Sequence, residues 1–502
     1  FPFPLSHGGA VRIFHLLREI AREFDIVLYA FTEAEIADAD LNPVLDLVSR
    51  VYLVKKPRYR EPRWSTLAPP EVGEYDSPEM RKLWRARQTD LAQIEYTHLA
   101  RYGGDVLVEH DITFDLYAQA RARKRTVAAW WDWHRWRRFE RAAVRKFRRI
   151  AVMSEKDRAL LGAEHARVLE NGVDFGRFHP EPEQSSRQLL FIGSFRHFPN
   201  IVAFRFLTEE ILPLVPDAEL TVVAGPEPWL HWRNFTGTLQ PIRNPRIRIL
   251  EFVADVRPLY NEANVAVIPT LESAGTNIKV LEALAMERAV VSTASGCAGL
   301  GLEHGKTAWI ADSAPAFAEG IRSLLDDAAL RARIAQAGRA HARLHFDWRA
   351  IGRKQRALLR ELAGDPLVLR DAVSDDLFAI AAIQAASPEA SQWEPASYLA
   401  HRCRVAVLGK RVAGFLVTRE IAPGEREILN LAVDPEYRRR GIAFRLLDEE
   451  IIPGQGSWFL EVRESNLAGI RLYESLGFQA AGRREMYYTN PLESGIVMRF
   501  LS

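Results

Sequence analysis

The chain has 502 residues, 48% hydrophobic and 26% charged, with a formal net charge of +2. That balance is the one of ordinary globular protein with chain for about three domains, and it argues against bulk affinity for nucleic acid. No apolar run reaches the roughly 18 residues of a membrane span. The two distant cysteines, Cys297 and Cys403, form neither a disulfide framework nor a metal spacing, so the cytoplasm is the expected compartment.

In chain order, "FPFPLSHGGAVRIFHLL" comes first. Gly8 and Gly9 head a helical apolar pattern of Val11, Phe14, Leu16, Leu17 and Ile20. A glycine turn opening a helix usually follows a buried strand and turns bare amides toward an anion. Strand-like runs then alternate with helical periods up to residue 345, the pattern of α/β layering with parallel sheets. The first series is "FDIVLYAF" (24–31), "RVYLVKK" (50–56), "DVLVEHD" (105–111), "RIAVMSE" (149–155) and "ARVLENGVD" (166–174). The second is "QLLFIGSF" (188–195), "ELTVVAGP" (219–226), "IRILEFV" (247–253), "VAVIPT" (265–270) and "AVVSTAS" (289–295). Helices are expected at 276–286, 316–325 and 346–362, and "AGDP" (363–366) reads as a linker. A third unit follows, with a helical start at 374–386, a strand pair at 403–420 and a closing βαβ. The expected organisation is two doubly wound domains, 1–168 and 169–362, and a separate α/β domain, 367–502.

The ordered motifs "SHGGAVRI", "MSEKD", "ENGVD", "FIGSFRHFPN", "VVAGP" and "ESAGTNIKVLEALAMERAVVSTASGCAGL" resemble the family-4 glycosyltransferases of GT-B fold, over about residues 1 to 362. In that family the glycine turn follows the first strand, so the expectation is a chain truncated at its N-terminus. The resemblance implies a nucleotide-sugar donor, linked to UDP or GDP, with retention of anomeric configuration and no metal. The sugar acceptor would be a glycan, a lipid-linked sugar or a small molecule. Donor contacts carried over are Gly8, Gly9, Gly193, Arg196, Gly275, Thr276, Asn277, Lys279 and Glu282. Backbone amides and cations suit a diphosphate whose charge grows as it leaves; Glu282 matches the glutamate that holds the ribose hydroxyls. Glu272 and Glu282 stand further apart than the family's glutamate pair, with Ala274 at the usual first position. "RHFPN" replaces the usual phosphate-binding lysine. His110, at the carboxyl end of a strand, is a candidate contact to the acceptor or the transferred sugar, as is Glu272. "WWDWHRWRRFERAAVRKFRR" (130–149) leaves three readings open: a wall of the acceptor cleft, a helix lying on the inner face of the membrane, or a helix packed on the sheet.

Near the C-terminus, "LNLAVDPEYRRRGIAFRLLDEEI" and "LEVRESNLAGIRLYESLGF" resemble the GNAT acetyltransferases. A strand ends, Gly441 lets the backbone approach a pyrophosphate, and the next helix points its free amides at it. The resemblance implies acetyl-coenzyme A held by Leu431, Ala432, Val433, Arg438, Arg439, Arg440, Gly441, Ile442, Ala443, Phe444 and Asn466. With "GRREMYY", the motifs closely resemble the ribosomal-protein-alanine N-acetyltransferases, a resemblance that implies Glu461 as general base and Tyr473 as general acid. The acceptor would then be the N-terminal amine of a protein. Two alternatives stay open: an amino sugar as acetyl acceptor, or a glycosyltransferase module that binds without catalysing.

Overall fold

The computed structural model describes residues 1–3, 8–33, 36–61, 66–183, 186–238, 244–271, 277–364, 367–452, 454, 456–489 and 491–501. The chain divides into two compact units, one of residues 1–21 and 25–355, the other of 22–24 and 356–502. Among the described residues no helix is long and apolar enough to cross a membrane.

The larger unit holds two αβ halves. In the first, β1 (Val27–Thr32) pairs in parallel with β2 (Arg50–Lys55). A separate parallel sheet follows the order β3 (Gln93–Glu95), β4 (Val106–Glu109), β5 (Arg149–Val152), β6 (Ala166–Val168). The second half is one parallel sheet of β7 (Gln188–Ile192), β8 (Glu219–Val223), β9 (Ile247–Leu250), β10 (Val265–Ile268), β11 (Ala289–Ser292) and β12 (Trp309–Ile310). Their order is β12-β11-β10-β7-β8-β9, so the winding reverses between β7 and β10. Central strands such as "VAVI" and "AVVS" are apolar but for the terminal Ser292 because helices cover both faces, and every one of their residues is buried.

The expected alternation of strands and helices is present, with each strand shorter than its apolar run. β3 and β12 were not expected, because two or three residues give no readable alternation.

The smaller unit is a seven-stranded mixed sheet: β13 (Leu367–Asp371), β14 (Arg402–Leu408), β15 (Arg411–Ala422), β16 (Glu425–Val433), β17 (Ser457–Arg463), β18 (Gln479–Thr489) and β19 (Leu492–Phe500). The order is β13-β14-β15-β16-β17-β19-β18, with β16 and β17 parallel and every other pair antiparallel. One core layer packs Trp458, Leu460, Met498 and Phe500 against Leu446, Leu447 and Phe478. Each such side chain contributes about 1.5–3 kcal/mol by leaving water. Within this unit Glu23 is ringed by Arg360 at 3.2 Å, Arg356 at 3.6 Å and Arg445 at 3.7 Å, and Arg356 also pairs with Asp448 at 2.6 Å.

Candidate functional site

The reversal between β7 and β10 gathers the first candidates, as the carboxyl ends of strands at a switch point do in open parallel sheets. Gly193 follows β7, and a Cβ there would lie 2.8 Å from the Asn200 side chain, so glycine lets Asn200 fold back on the strand. Asn200 Nδ2 donates to Ser194 O at 2.9 Å, and its Oδ1 accepts from Lys279 Nζ at 3.0 Å. Lys279 lies in the first turn of the helix Ile278–Ala285. Burial brings its ammonium down to about 8, with Glu282 pulling the other way. Glu282 accepts from the Tyr260 hydroxyl at 3.3 Å, and burial raises its carboxyl to about 7. Arg196 is exposed on the loop after β7. Burial, then the charges of Arg196, His231 and Lys279, hold the His197 imidazole below its ordinary value. This is a local excess of positive charge.

Gly8 enters from the first half. A Cβ on it would come within 3.1 Å of Ile278 Cδ1, so the first turns of Gly8–Ile20 and Ile278–Ala285 meet. Each helix start has N–H groups with no intrahelical acceptor, at the positive end of its dipole. Gly9 is the second residue of the first of these turns. Buried Arg12 anchors that helix by donating to Leu169 O at 2.8 Å and Asn171 Oδ1 at 3.1 Å. Two helix starts and an ammonium close together can hold a diphosphate, with Arg196 on the neighbouring loop as a further cation.

In the smaller unit the parallel pairing of β16 with β17 runs from Glu425↔Ser457 to Ile428↔Leu460 and stops there. Beyond it β16 keeps β15 and β17 keeps β19, while the two part from each other. Leu431, Ala432 and Val433 lie past the split on one side and Glu461 lies past it on the other. Arg439 and Gly441 then take φ of 62° and 74°, and Gly441 is the N-cap of the helix Ile442–Glu450. Left-handed residues leading into a helix start turn successive N–H groups to one side, which suits a pyrophosphate.

Two chemistry-bearing side chains belong to the elements beyond this split, Glu461 on β17 and Tyr473 on the helix Leu467–Ser475. Glu461 pairs with Arg484 at 2.9 Å and accepts a hydrogen bond from the Tyr487 hydroxyl. Tyr473 is buried against Phe478, with ring centroids 5.7 Å apart, and burial, then Tyr488, pushes its phenol up. A phenol so placed keeps its proton.

A glycosyl transferases group 1 family model matches residues 186–327, and the acetyltransferase (GNAT) family model matches residues 370–478. The chain joins a group 1 glycosyl transferase domain to a GNAT domain. The [ribosomal protein bS18]-alanine N-acetyltransferase of Escherichia coli K12 is 43% identical over 94 residues, 18% of this chain and 63% of that relative. The chain thus spans just under two thirds of that curated relative. The crystal structure of the ribosomal-protein-S18-alanine N-acetyltransferase from Escherichia coli is 30% identical, with a TM-score of 0.24 over 27% of this chain and 93% of that one. Sucrose-phosphate synthase from Thermosynechococcus elongatus shares the fold of the glycosyl transferase part: 16% identity, a TM-score of 0.50, 68% of this chain and 99% of that one.

In the glycosyl transferase part, Gly8, Gly193, Lys279 and Glu282 gather as described. Asn277 donates to Gly296 O at 2.8 Å, which pins the start of its helix. Glu272, Gly275 and Thr276 lie outside the described residues. His110 follows the end of β4, with Nε2 2.8 Å from Glu95. The Trp- and Arg-rich helix Val127–Val144 places Ala143 and Val144 in the core over Leu107 and Ile150, while its Trp136 stacks on Tyr117 of the helix Thr113–Lys124 at 5.9 Å. Its other face carries Trp130, 45% exposed and stacked on His134 at 5.4 Å, with Arg137, Arg138 and Arg141 exposed beside it.

In the GNAT domain, Ile442 and Phe444 point into the core, so only their backbones can face a ligand, whereas Ala443 is half-buried. Arg438 is held by Val433 O at 3.1 Å, Ser387 at 2.8 Å and Glu389 at 2.7 Å, so it shapes the loop. Arg440 lies over the Tyr437 ring at 5.3 Å. Asn466 caps the helix Leu467–Ser475 by accepting from Gly469 N at 2.8 Å. Sequence reasoning missed Arg484, Tyr487 and Tyr488. They reach Glu461 because the register of β18 shifts between Arg484 and Tyr488, with Met486 at φ 49°. The motif "GRREMYY" contained them, but a register shift leaves no mark in the spacing.

Proposed function

We propose that the chain is a bifunctional enzyme. One part transfers a sugar with retention from a UDP- or GDP-linked donor to a sugar acceptor. The other transfers acetyl from acetyl-coenzyme A to the N-terminal amine of a protein, such as a ribosomal protein. The observation that carries the second activity is Glu461 at the parting of β16 and β17, opposite the strand end that leads into Gly441.

Acetyl-coenzyme A supplies an activated thioester. The β16 end, Gly441 and the helix start behind it fit its extended arm and pyrophosphate. Glu461 takes the proton as the amine nitrogen bonds to the acetyl carbon. Tyr473, which keeps its proton because it is buried, gives it to sulfur as the carbon–sulfur bond breaks. Amide and thiol are the balanced products. Arg484 and Tyr487 hold Glu461 in place until an ammonium competes for it.

For sugar transfer, Lys279, Arg196 and the two facing helix starts would neutralise the departing diphosphate, and Glu282 would accept from the ribose. The exposed Trp130 with its neighbouring arginines supports peripheral contact with an anionic membrane face.

The test uses the full chain with acetyl-coenzyme A and either an alanine-starting ribosomal-protein peptide or glucosamine, and separately a panel of nucleotide-sugars. Acetylated peptide and a released nucleotide diphosphate are the expected products. Acetylated glucosamine with an inert peptide overturns the protein acceptor. Nucleotide binding without turnover on any acceptor reduces the glycosyl transferase part to a binding module.

A further inference from the structure

His110 is held more firmly than a surface histidine needs. Its Nε2 lies 2.8 Å from Glu95 Oε2, with the His110 side chain 10% exposed. Its ring stacks on Tyr96 at 4.0 Å and 18°. Tyr96 pays for that position with a φ of 72°, a region where a bulky residue is rare and strained. Two contacts hold it there: its N–H donates to Val108 O at 3.1 Å, and His98 stacks on it at 5.4 Å. Strain over-determined in this way gathers where a side chain must be aimed.

The charges around Glu95 fix its state. Burial opposes its ionisation, but hydrogen bonds from His110 and Gln93 and the charge of Arg12 favour it, and the carboxyl is held below its ordinary value. Arg12 lies four residues beyond Gly8. On the other side of Tyr96, burial, then Lys56, brings His98 down to about 4, so it is neutral. Asp111, next in the chain, is raised to about 7 by burial, then by Asp157 and Glu140. An ionised carboxylate only accepts hydrogen bonds, so the ring nitrogen facing Glu95 must carry the proton.

We propose that Glu95 and Tyr96 are positioning residues that lock His110 in its Nε2–H form and present Nδ1 as a hydrogen-bond acceptor to a hydroxyl of the sugar substrate. This rests on the sugar-transfer reading above. The site lies at the carboxyl end of β4 in a parallel sheet, where ligands of such sheets bind. The hydroxyl belongs either to the transferred sugar or to the acceptor.

The experiment is nitrogen NMR of ¹⁵N-histidine-labelled full chain at pH 8, with the His110 signals identified by loss in His110→Gln. The wild type should show protonated Nε2 and bare Nδ1. Glu95→Gln offers an amide that can donate to Nε2, so the proton should move to Nδ1. The same variant should lower kcat for sugar transfer about tenfold to hundredfold, with KM for the nucleotide-sugar changed less than about threefold. Equal slowing of transfer and of donor hydrolysis without acceptor places the hydroxyl on the transferred sugar. Slowing of transfer alone places it on the acceptor. A wild-type proton on Nδ1, or kinetics indifferent to Glu95→Gln, overturns the proposal, and a lowered Tm alone marks a merely structural role. If no donor is turned over, the sugar-transfer reading fails. The positioning proposal is then read from the His110 Nδ1 resonance on adding UDP-glucose and GDP-mannose, and a resonance unmoved by both overturns it as well.

Discussion

The two cradles proposed for anions are built on opposite principles. In the GNAT domain one continuous stretch does the work: a strand end, Arg439 and Gly441 with positive φ, and a helix start. In the glycosyl transferase part the pieces come from Gly8, from Gly193 to Asn200 and from Lys279, and no single segment makes a site. As proposed, the first would hold an anion by backbone conformation. The second would hold it by bringing two helix starts together around a half-buried charge. The difference teaches that a glycine can serve as a hinge of the backbone or as an empty space for a neighbour. Gly441 is the first kind and Gly8 the second.

The largest effect that can separate the two is chemical. Glu461→Gln should slow acetyl transfer to the alanine-starting peptide by roughly 10²–10⁴-fold, measured as kcat at pH 7, and leave the affinity for UDP or GDP unchanged. Loss of both would mean that the sites are not independent. Next is Lys279→Ala, which removes a charge-assisted contact and should weaken the tighter of UDP and GDP by about 1.5–3 kcal/mol in calorimetry. Unchanged affinity would shift the cradle to the helix starts alone. The glycines come third. Gly441→Val should cost about 1–3 kcal/mol of acetyl-coenzyme A affinity because it strains the backbone, and no change in a neighbour should restore it. Gly8→Val should weaken nucleotide binding, and Ile278→Ala should restore much of the loss. Rescue of the wrong variant would invert the comparison.

The smallest effect is on pH. Glu282, raised to about 7, takes up a proton as pH falls through that value, and its carboxyl becomes a weaker acceptor that carries an O–H donor of its own. Lys279, lowered to about 8, loses its charge as pH rises through that value. Nucleotide affinity should therefore peak between about pH 7 and 8 and fall by no more than about tenfold one unit to either side. The GNAT cradle, made of backbone, should show no such peak for acetyl-coenzyme A.

The same contrast decides what could be read from the residues. The run from Leu431 to Phe444 is local, so its spacing carried its geometry, and the central strands of both halves were legible because parallel strands buried on two faces are mostly apolar. Asn200 was not legible as a partner of Lys279, since 79 residues separate them and only the sheet order joins them. Glu95 was hidden for another reason. It ends a strand of three residues, too short to show alternation, and its importance comes from His110 on the adjacent strand. Arg484 and Tyr487 meet Glu461 through a register shift that spacing does not reveal.

The parting of β16 from β17 puts a seam in the middle of a sheet, away from its edges. Beyond Ile428 and Leu460 the backbone has lost its neighbour on that side, and an extended ligand can lend it one. Such a ligand recognises the folded sheet only, so its concentration becomes a term in the folding equilibrium. At a hundred times its Kd it adds about 2.7 kcal/mol to the stability of the domain. A drop in acetyl-coenzyme A would then do more than slow a reaction: it would loosen the fold, expose the chain to proteases and shorten the lifetime of the protein.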